Sequence, residues 1–407
     1  MSAAPEPLEE FRARATAFLD RHASLRPERT GGFVWGEGDD FVGIVEEGDP
    51  ATEADAVAAA RSWARTRFDA GFGWIDGPVE LGGAGLGPDH VRAYRTLEAG
   101  YDLPDLSILT IGLGMVAPTI AAHARAEVAA TYLAPLHRGD VIACQLFSEP
   151  GAGSDLAALS TRAVRDGDEW VLDGQKVWTS NAHHAAIGEI ICRTDPDAPK
   201  HAGMTAFLVD MSAPGVEVRP LRQMTGGAGF NEVFLTGVRV PDTHRLGEVG
   251  EGWGVALTTL LNERASIGSG MGLARGPGPF ERVIELTRHL EADRDPVTRD
   301  LLARLHTTHV VNGLTAKRAA ANLQAGGLPG PELSVLKLAG TLQLLATADY
   351  VASVLGPALC ADNGEWGTFA WTKLVCGVPG ARLGGGSDEI VRNIIGERVL
   401  GLPREPR

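Results

Sequence analysis

The chain's most suggestive chemistry lies in the run Ser148-Glu149-Pro150-Gly151-Ala152-Gly153-Ser154-Asp155, which directly follows a β-rich segment. Small residues there let backbone N–H groups approach a ligand that side chains would block, and the hydroxyls of Ser148 and Ser154 can bond ring or phosphate oxygens. Lys176-Val177-Trp178-Thr179-Ser180 lies one hairpin later. Strand alternation places Trp178 and Ser180 on one side, an indole beside a hydroxyl, which suits a flat heteroaromatic group. Taken singly, the glycine run reads as an ordinary loop leaving a sheet and Trp178 as a core residue. His183-His184 and His306 with His309 have spacings seen in metal sites, but no acidic or cysteine cluster accompanies them, so packing or surface roles and no metal are expected. Cys144, Cys192, Cys360 and Cys376 form no CxxC pair, which points away from a zinc site or disulfide framework and fits a reducing cytoplasm.

The elements that must position these residues follow from periodicity. A length of 407 residues predicts two or three packed units. From Leu8 to about His137 the pattern is helical: Leu8, Phe11, Ala15, Phe18 and Leu19 share a face, Thr52 to Phe72 opens on a capping residue, and Pro88 suits the first turn of a helix reaching Ala99. From about Val141 to Val240, short β-rich runs are punctuated by turn residues, including Asp166-Gly167 and Asp173-Gly174. That pattern predicts an antiparallel sheet in a small barrel or sandwich. Beyond Gly252 the helical period returns over Val255 to Met271, Phe280 to Ala292, Pro296 to Ala325 and Glu332 to Leu355, with Pro329-Gly330-Pro331 as a hinge-like connection. These four helices predict an antiparallel bundle. The expected fold is α+β, with an N-terminal helical domain over 1–138, a middle β domain over 139–245 and a C-terminal helical bundle over 246–407.

Bulk properties exclude several partners. Asp plus Glu number 52 against 37 Lys plus Arg, a net charge of -15 that opposes broad attraction to nucleic acid or anionic lipid. The N-terminus carries acidic residues and no apolar core, so it does not read as a signal peptide. The most membrane-like stretch, Leu106 to Ala122, contains Gly112, Gly114 and Pro118 without strongly basic flanks, and reads as a buried helix.

Several motifs in order resemble the acyl-CoA dehydrogenase family over essentially the whole chain. They are SEPGAGSD at Ser148 to Asp155, a TxA and DG hairpin from Thr161, GQKVWTS at Gly174 to Ser180 and GMTAFLVD at Gly203 to Asp210. FNEVFLTGVRVP at Phe230 to Pro241, GEGWGVALTTLLNER at Gly250 to Arg264 and GGGSDEIVRNIIGERVLGLP at Gly384 to Pro403 complete the set. The resemblance implies FAD as cofactor, with the isoalloxazine between the β domain and the C-terminal bundle. Phe147, Ser148, Gly153 and Ser154 would line the flavin, Trp178 and Ser180 contact its ring, and Ser387 and Glu389 reach it from the C-terminal loop. Ser154, Leu261 and Arg264 match positions that contact the acyl-CoA.

The family's reaction needs a carboxylate to remove the α-proton of the thioester and a flavin to accept the β-hydride. Many members carry that carboxylate in the C-terminal loop, where this chain has Gly385 between Gly384 and Gly386. Others, the isovaleryl and long-chain types, place a glutamate on the first bundle helix immediately before an arginine, and Glu263-Arg264 fits. The resemblance therefore implies Glu263 as general base, with the Gly385 N–H bonding the thioester oxygen.

One departure concerns assembly. Family members usually open the second bundle helix with an arginine, two spacers, phenylalanine and glycine, which reach a neighbouring subunit's flavin phosphates. Here the stretch is Arg275-Gly276-Pro277-Gly278-Pro279-Phe280-Glu281, and a later glycine pair is not recognisable around Leu355-Gly356-Pro357-Ala358. Either a homo-oligomer or a heterotetramer with a homologous chain fits, as in actinobacterial steroid side-chain oxidation. The expected activity is oxidation of an acyl-CoA to a trans-2-enoyl-CoA, with electrons passed to an electron-transfer flavoprotein. A catalytically silent subunit, or an oxidase or flavin monooxygenase on the same fold, are the alternatives.

Overall fold

A computed structural model describes residues 6–26, 34–38, 40, 42, 50–268, 279–324 and 333–404. Of these, the residues within Met1–Glu28, Gly48–Leu221 and Ala228–Asn262 form one compact unit. Those within Arg29–Glu47, Arg222–Gly227 and Glu263–Arg407 form a second.

The first unit opens with α1 (Leu8–His22), whose buried Phe11, Ala15, Phe18 and Leu19 form the stripe its spacing predicts. α2 (Pro50–Asp69) begins two residues before the expected cap, with a proline in its first turn, and α3 (Pro88–Glu98) has Pro88 there as expected. The short pair β1 (Ser24–Leu25) and β2 (Tyr101–Asp102) ties the end of α1 to the end of α3. The stretch expected as one buried helix is a helical run of mixed pitch: a 3-10 turn over Ser107–Leu109, a π turn over Gly112–Val116, then α4 (Ala117–His123). α5 (Ala126–Arg138) stops at Gly139, whose φ of 77° is the left-handed cap that glycine supplies.

The sheet comprises β3 (Ala143–Leu146), β4 (Arg162–Asp166), β5 (Glu169–Ser180), β6 (Ile187–Arg193), β7 (Met204–Asp210), β8 (Val216–Leu221), β9 (Phe230–Pro241) and β10 (Arg245–Leu246). Its order is β10-β7-β6-β4-β5-β9-β8, with β3 also paired to β6. The expected antiparallel pattern holds except beside β6, where β3 and the Arg162–Arg193 pair of β4 run parallel. Parallel pairing suits a buried strand. β6 and β7 are buried on both faces. Ile187, Ile191, Ala206 and Leu208 pack with helical residues such as Ile120 and Leu133, while Ile190, Cys192, Phe207 and Val209 pack with Trp170, Leu172 and Val238.

The two Asp-Gly signals diverge. Asp166-Gly167 marks the β4–β5 hairpin, with Gly167 at φ 67°. Asp173-Gly174 is not a turn: it lies inside β5, where the register against β9 shifts between Leu172 and Gly174. Asp173 Oδ1 accepts the Gly237 N–H at 2.8 Å, and a Cβ on Gly174 would meet Thr161 Oγ1 at 2.4 Å, so the glycine serves a bulge and a close approach.

α6 (Gly252–Gly268) contributes residues to both units. The second unit holds α7 (Pro279–His289), α8 (Pro296–Gln324), α9 (Leu333–Leu355), α10 (Ala370–Leu383) and α11 (Asp388–Ile394). The last two are helices beyond the four expected. Val283 and Leu286 of α7, Leu305 of α8, Val351 and Leu355 of α9, and Trp371 and Leu374 of α10 share one core. Within it the hydroxyls of Thr287 and Tyr350 meet at 2.6 Å. Among the described residues the helical stretch long and apolar enough to cross a membrane, by length and composition alone, is Leu333–Cys360 rather than the expected Leu106–Ala122. Several of its side chains, including Val351 and Leu355, lie in this core. Residues 275–278 and the Pro329-Gly330-Pro331 connection lie outside the described residues.

Candidate functional site

β3 delivers the chain to a tight turn in which the backbones of Glu149 and Ala152 exchange both hydrogen bonds at 3.0 Å. Gly151 and Gly153 stand at and just beyond its tip, and among the described residues nothing lies within 4 Å of the place where a Cβ would sit on either. Neither glycine has the left-handed φ that would explain its choice. The chain itself therefore makes no demand for glycine here, and open space kept beside exposed main chain is what a ligand's close approach requires. Ser154 is exposed and Ser148 half-buried. Phe147 differs from the simple expectation of a lining side chain: it is 4% exposed and packs in the core with Leu156 and Ala157.

Beneath this turn sits a buried ion pair that sequence reasoning left without a role. Glu149 Oε1 accepts from Lys176 Nζ at 2.9 Å and from the Thr161 N–H at 2.9 Å, while Oε2 accepts from the Ser160 N–H and hydroxyl at 2.7 and 2.8 Å. Lys176 Nζ also donates to the carbonyls of Phe147 and Ile191, which satisfies all three of its protons. Burial opposes the charge on Glu149, but the Lys176 ammonium and the bonds from Thr161 and Ser160 overcome it and hold the carboxyl down at about 2. The signal was present as one acid and one base inside the two quoted motifs.

The second motif joins the first directly: the Val177 N–H donates to the Ser148 carbonyl at 2.9 Å. Between Lys176 and Thr179 the register against β9 shifts, so Lys176 and Val177 are both buried and Trp178 turns outward, 58% exposed. Trp178 has φ 61° and Asn181 φ 55°; among the described residues Glu291 is the other non-glycine with a left-handed backbone. Such a conformation costs a bulky residue roughly 1–3 kcal/mol and concentrates at functional sites. Thr179 is buried between the exposed Trp178 and the half-buried Ser180, and the left-handed backbone at Trp178 departs from the plain strand alternation from which a shared side was expected. Phe230 meets the Trp178 ring edge-on, with centroids 6.0 Å apart. An exposed indole and a glycine turn with open main chain leave room for a flat ring system.

A second buried carboxyl was not anticipated. Glu189 of β6 is fully buried, its Oε1 2.6 Å from the Thr259 hydroxyl on α6, which in turn meets the Thr119 hydroxyl at 2.9 Å. Among the described residues Oε2 has no partner, and burial pushes the carboxyl up to about 8 despite the Thr259 bond.

Leu261, Glu263 and Arg264 follow on the same helix; Leu261 is exposed and Glu263 half-buried. In the second unit, Gly385 and Gly386 have φ of 65° and 95°, a backbone that disfavours any side chain, including a carboxylate-bearing one. Ser387 caps α11, its hydroxyl accepting the Ile390 N–H at 3.3 Å, and Glu389 is exposed. The loop is anchored by Asp388, which accepts from Arg382 at 2.7 Å, Thr341 at 2.9 Å and Lys337 at 3.2 Å. Burial works against the Asp388 charge, and the Arg382, Thr341 and Lys337 bonds outweigh it, holding this carboxyl below the usual range.

The histidines divide. His309 and His306 stack on Phe280 at 4.6 and 5.3 Å, a packing role. His183-His184 does have an acidic companion, contrary to the sequence reading: Glu53 of α2 lies beside both rings. It stands far away in sequence, so no local spacing could reveal it.

Two family models match the chain, the acyl-CoA dehydrogenase middle domain over residues 144–238 and the acyl-CoA dehydrogenase C-terminal domain over residues 250–400. Acyl-CoA dehydrogenase IpdE1 of Mycobacterium tuberculosis is 35% identical over 406 residues, 98% of this chain and 99% of that protein. Acyl-CoA dehydrogenase FadE34 of the same organism is 43% identical over 288 residues, 71% of this chain; the match spans 39% of that relative's length. Among solved structures, the Tcur3481-Tcur3483 steroid ACAD superposes with a TM-score of 0.73 at 27% identity, with complete coverage (100%) of both chains. The ChsE4-ChsE5 complex from Mycobacterium tuberculosis gives 0.68 at 26% identity, again with 100% coverage of both.

Proposed function

The chain belongs to the acyl-CoA dehydrogenase family, and from that premise we propose that it binds FAD and oxidises an acyl-CoA thioester to the trans-2-enoyl-CoA, with an electron-transfer flavoprotein as acceptor. The observation that carries this reading is the glycine turn with space kept open beside its main chain, bonded through Ser148 and Val177 to the strand that turns Trp178 outward. Ser148, Gly153, Ser154, Trp178 and Ser180 hold the cofactor in this proposal, Phe147 through its main chain, with Ser387 and Glu389 contributing from the C-terminal loop. FAD, when bound, supplies the acceptor for the hydride leaving the substrate β-carbon.

Glu263 removes the α-proton, and its carboxylate does so without help from the C-terminal loop, where residue 385 carries no side chain. The Gly385 N–H donates to the thioester oxygen as negative charge gathers there. Ser154, Leu261 and Arg264 contact the acyl-CoA. The site of action is the cytoplasm.

The test is anaerobic addition of an acyl-CoA panel, straight, branched and steroid-derived, to the flavin-loaded protein. Bleaching followed by slow reoxidation in air supports the dehydrogenase. No bleaching with any thioester removes the reading, and rapid peroxide formation replaces it with an oxidase.

A second reading concerns assembly. The two solved relatives cited above are both named as two-component assemblies, and one of them as a steroid enzyme. A homologous partner chain that completes the flavin site is therefore proposed alongside steroid-derived thioesters as substrates. Purification of this chain alone with one flavin per subunit would favour a homo-oligomer instead.

A further inference from the structure

Glu53, His183 and His184 present one carboxylate oxygen and two imidazole nitrogens that all lie within 4.8 Å of one another. Glu53 Oε1 is 3.2 Å from His183 Nε2 and 3.0 Å from His184 Nε2, and the two rings lie 4.1 Å apart between centroids. The two carboxylate-to-imidazole separations approximate the ligand-to-ligand spacing of a tetrahedral site whose metal–ligand distances are about 2.0–2.1 Å.

The protonation pattern of His183 is set from behind. Asn231 is 1% exposed, and its Oδ1 accepts the His183 backbone N–H at 3.3 Å. The same oxygen lies 2.9 Å from His183 Nδ1, so Nδ1 carries the ring proton. In the neutral ring that leaves a lone pair on Nε2, aimed at the Glu53 carboxylate. A histidine whose other nitrogen donates to a fixed oxygen is the arrangement that supports a metal ligand from outside the coordination shell. Two adjacent imidazolium ions would meet the carboxylate only by repelling each other across rings tilted at 46° with centroids 4.1 Å apart, whereas a single divalent cation satisfies all three lone pairs together.

We propose that Glu53, His183 and His184 form a divalent-cation site of the zinc class, with three protein ligands and solvent in the remaining position. The cation would clamp the first turn of α2 onto the 3-10 turn at Ala182–His184, immediately after the strand that carries Trp178 and Ser180. Its ligands do not overlap the residues proposed for flavin, acyl-CoA or proton removal.

The experiment uses the full chain, stripped with a chelator and titrated with zinc against a chromophoric competitor, with cobalt as a spectroscopic substitute. The expected result is one zinc per chain, a raised melting temperature with zinc, and visible cobalt bands of tetrahedral intensity. His184→Ala and Glu53→Ala should each abolish the bands, and Asn231→Ala should weaken zinc binding by roughly 10–100-fold. Cys360→Ser with Cys376→Ser should change nothing, which excludes thiol binding. Circular dichroism of each chelator-treated variant separates lost ligands from lost fold. Failure to bind stoichiometric zinc, or binding unchanged in both His184→Ala and Glu53→Ala, overturns the proposal. Neither outcome bears on acyl-CoA oxidation.

Discussion

Lys176 Nζ and Glu149 Oε1 meet at 2.9 Å with both side chains buried, 0% and 4% exposed, directly beneath the turn that carries Gly151 and Gly153. The pair fastens three segments, because the lysine also holds the carbonyls of Phe147 and Ile191 and the glutamate holds the backbone of Ser160 and Thr161. Lys176→Met should cost about 3–5 kcal/mol of unfolding free energy, since it strands a buried carboxylate. The double variant Lys176→Met with Glu149→Gln should recover part of that loss in chemical denaturation.

Acid should expose the same pair. The Glu149 carboxyl sits near 2 in the folded chain against an ordinary 4.5, so its contribution is fully present above 4.5 and lost as pH falls towards 2. The contribution is roughly 3 kcal/mol. Denaturation midpoints from pH 5 to 2 should fall more steeply in the parent than in Glu149→Gln.

Glu189 predicts the opposite slope. Its carboxyl is raised to about 8, so the folded chain favours the protonated form and stability is lost as pH rises from about 4.5 to 8. Replacing it with Gln keeps the shape and a partner for Thr259 while removing the ionisation. Glu189→Gln should raise the melting temperature at pH 8, by a few kcal/mol in stability terms, and little at pH 5.

Gly153→Val separates fold from cofactor. With nothing among the described residues within 4 Å of its Cβ position and no left-handed φ, the flavin-free variant should melt within a degree or so of the parent. Flavin retention on gel filtration should fall sharply. Unchanged flavin content would mean that the turn does not approach the cofactor.

Glu263→Gln should leave flavin content unchanged and reduce turnover by at least about 100-fold, the loss expected for a general base. Anaerobic bleaching rates measure it directly. Retained activity would move the base to another carboxylate.

Local signals carried much of the fold. The stripe of α1, Pro88 at the start of α3 and the Gly167 hairpin all depend on neighbours within a few residues, and all were legible. Features set by distant partners were not. Asp173-Gly174 looks like a turn until Thr161 and Gly237 are placed against it. Asp388 carries no local signal of its role until Lys337 and Arg382 close on it, and His183-His184 reads as surface or packing until Glu53 arrives from α2. α10 was missed as a helix because Gly377, Pro379 and Gly380 interrupt its apolar pattern, and α11 because its 7 residues span too few turns to show a helical period.

The bare glycines at 151 and 153 have a consequence for descent. Folding exerts no evident hold on them, whereas Lys176 and Glu149 are held by folding whatever the chain binds. In a lineage that duplicated this gene and gave up its ligand, the two glycines should drift first while the ion pair stays. The order in which these positions decay would date the loss of a cofactor separately from the loss of a structure.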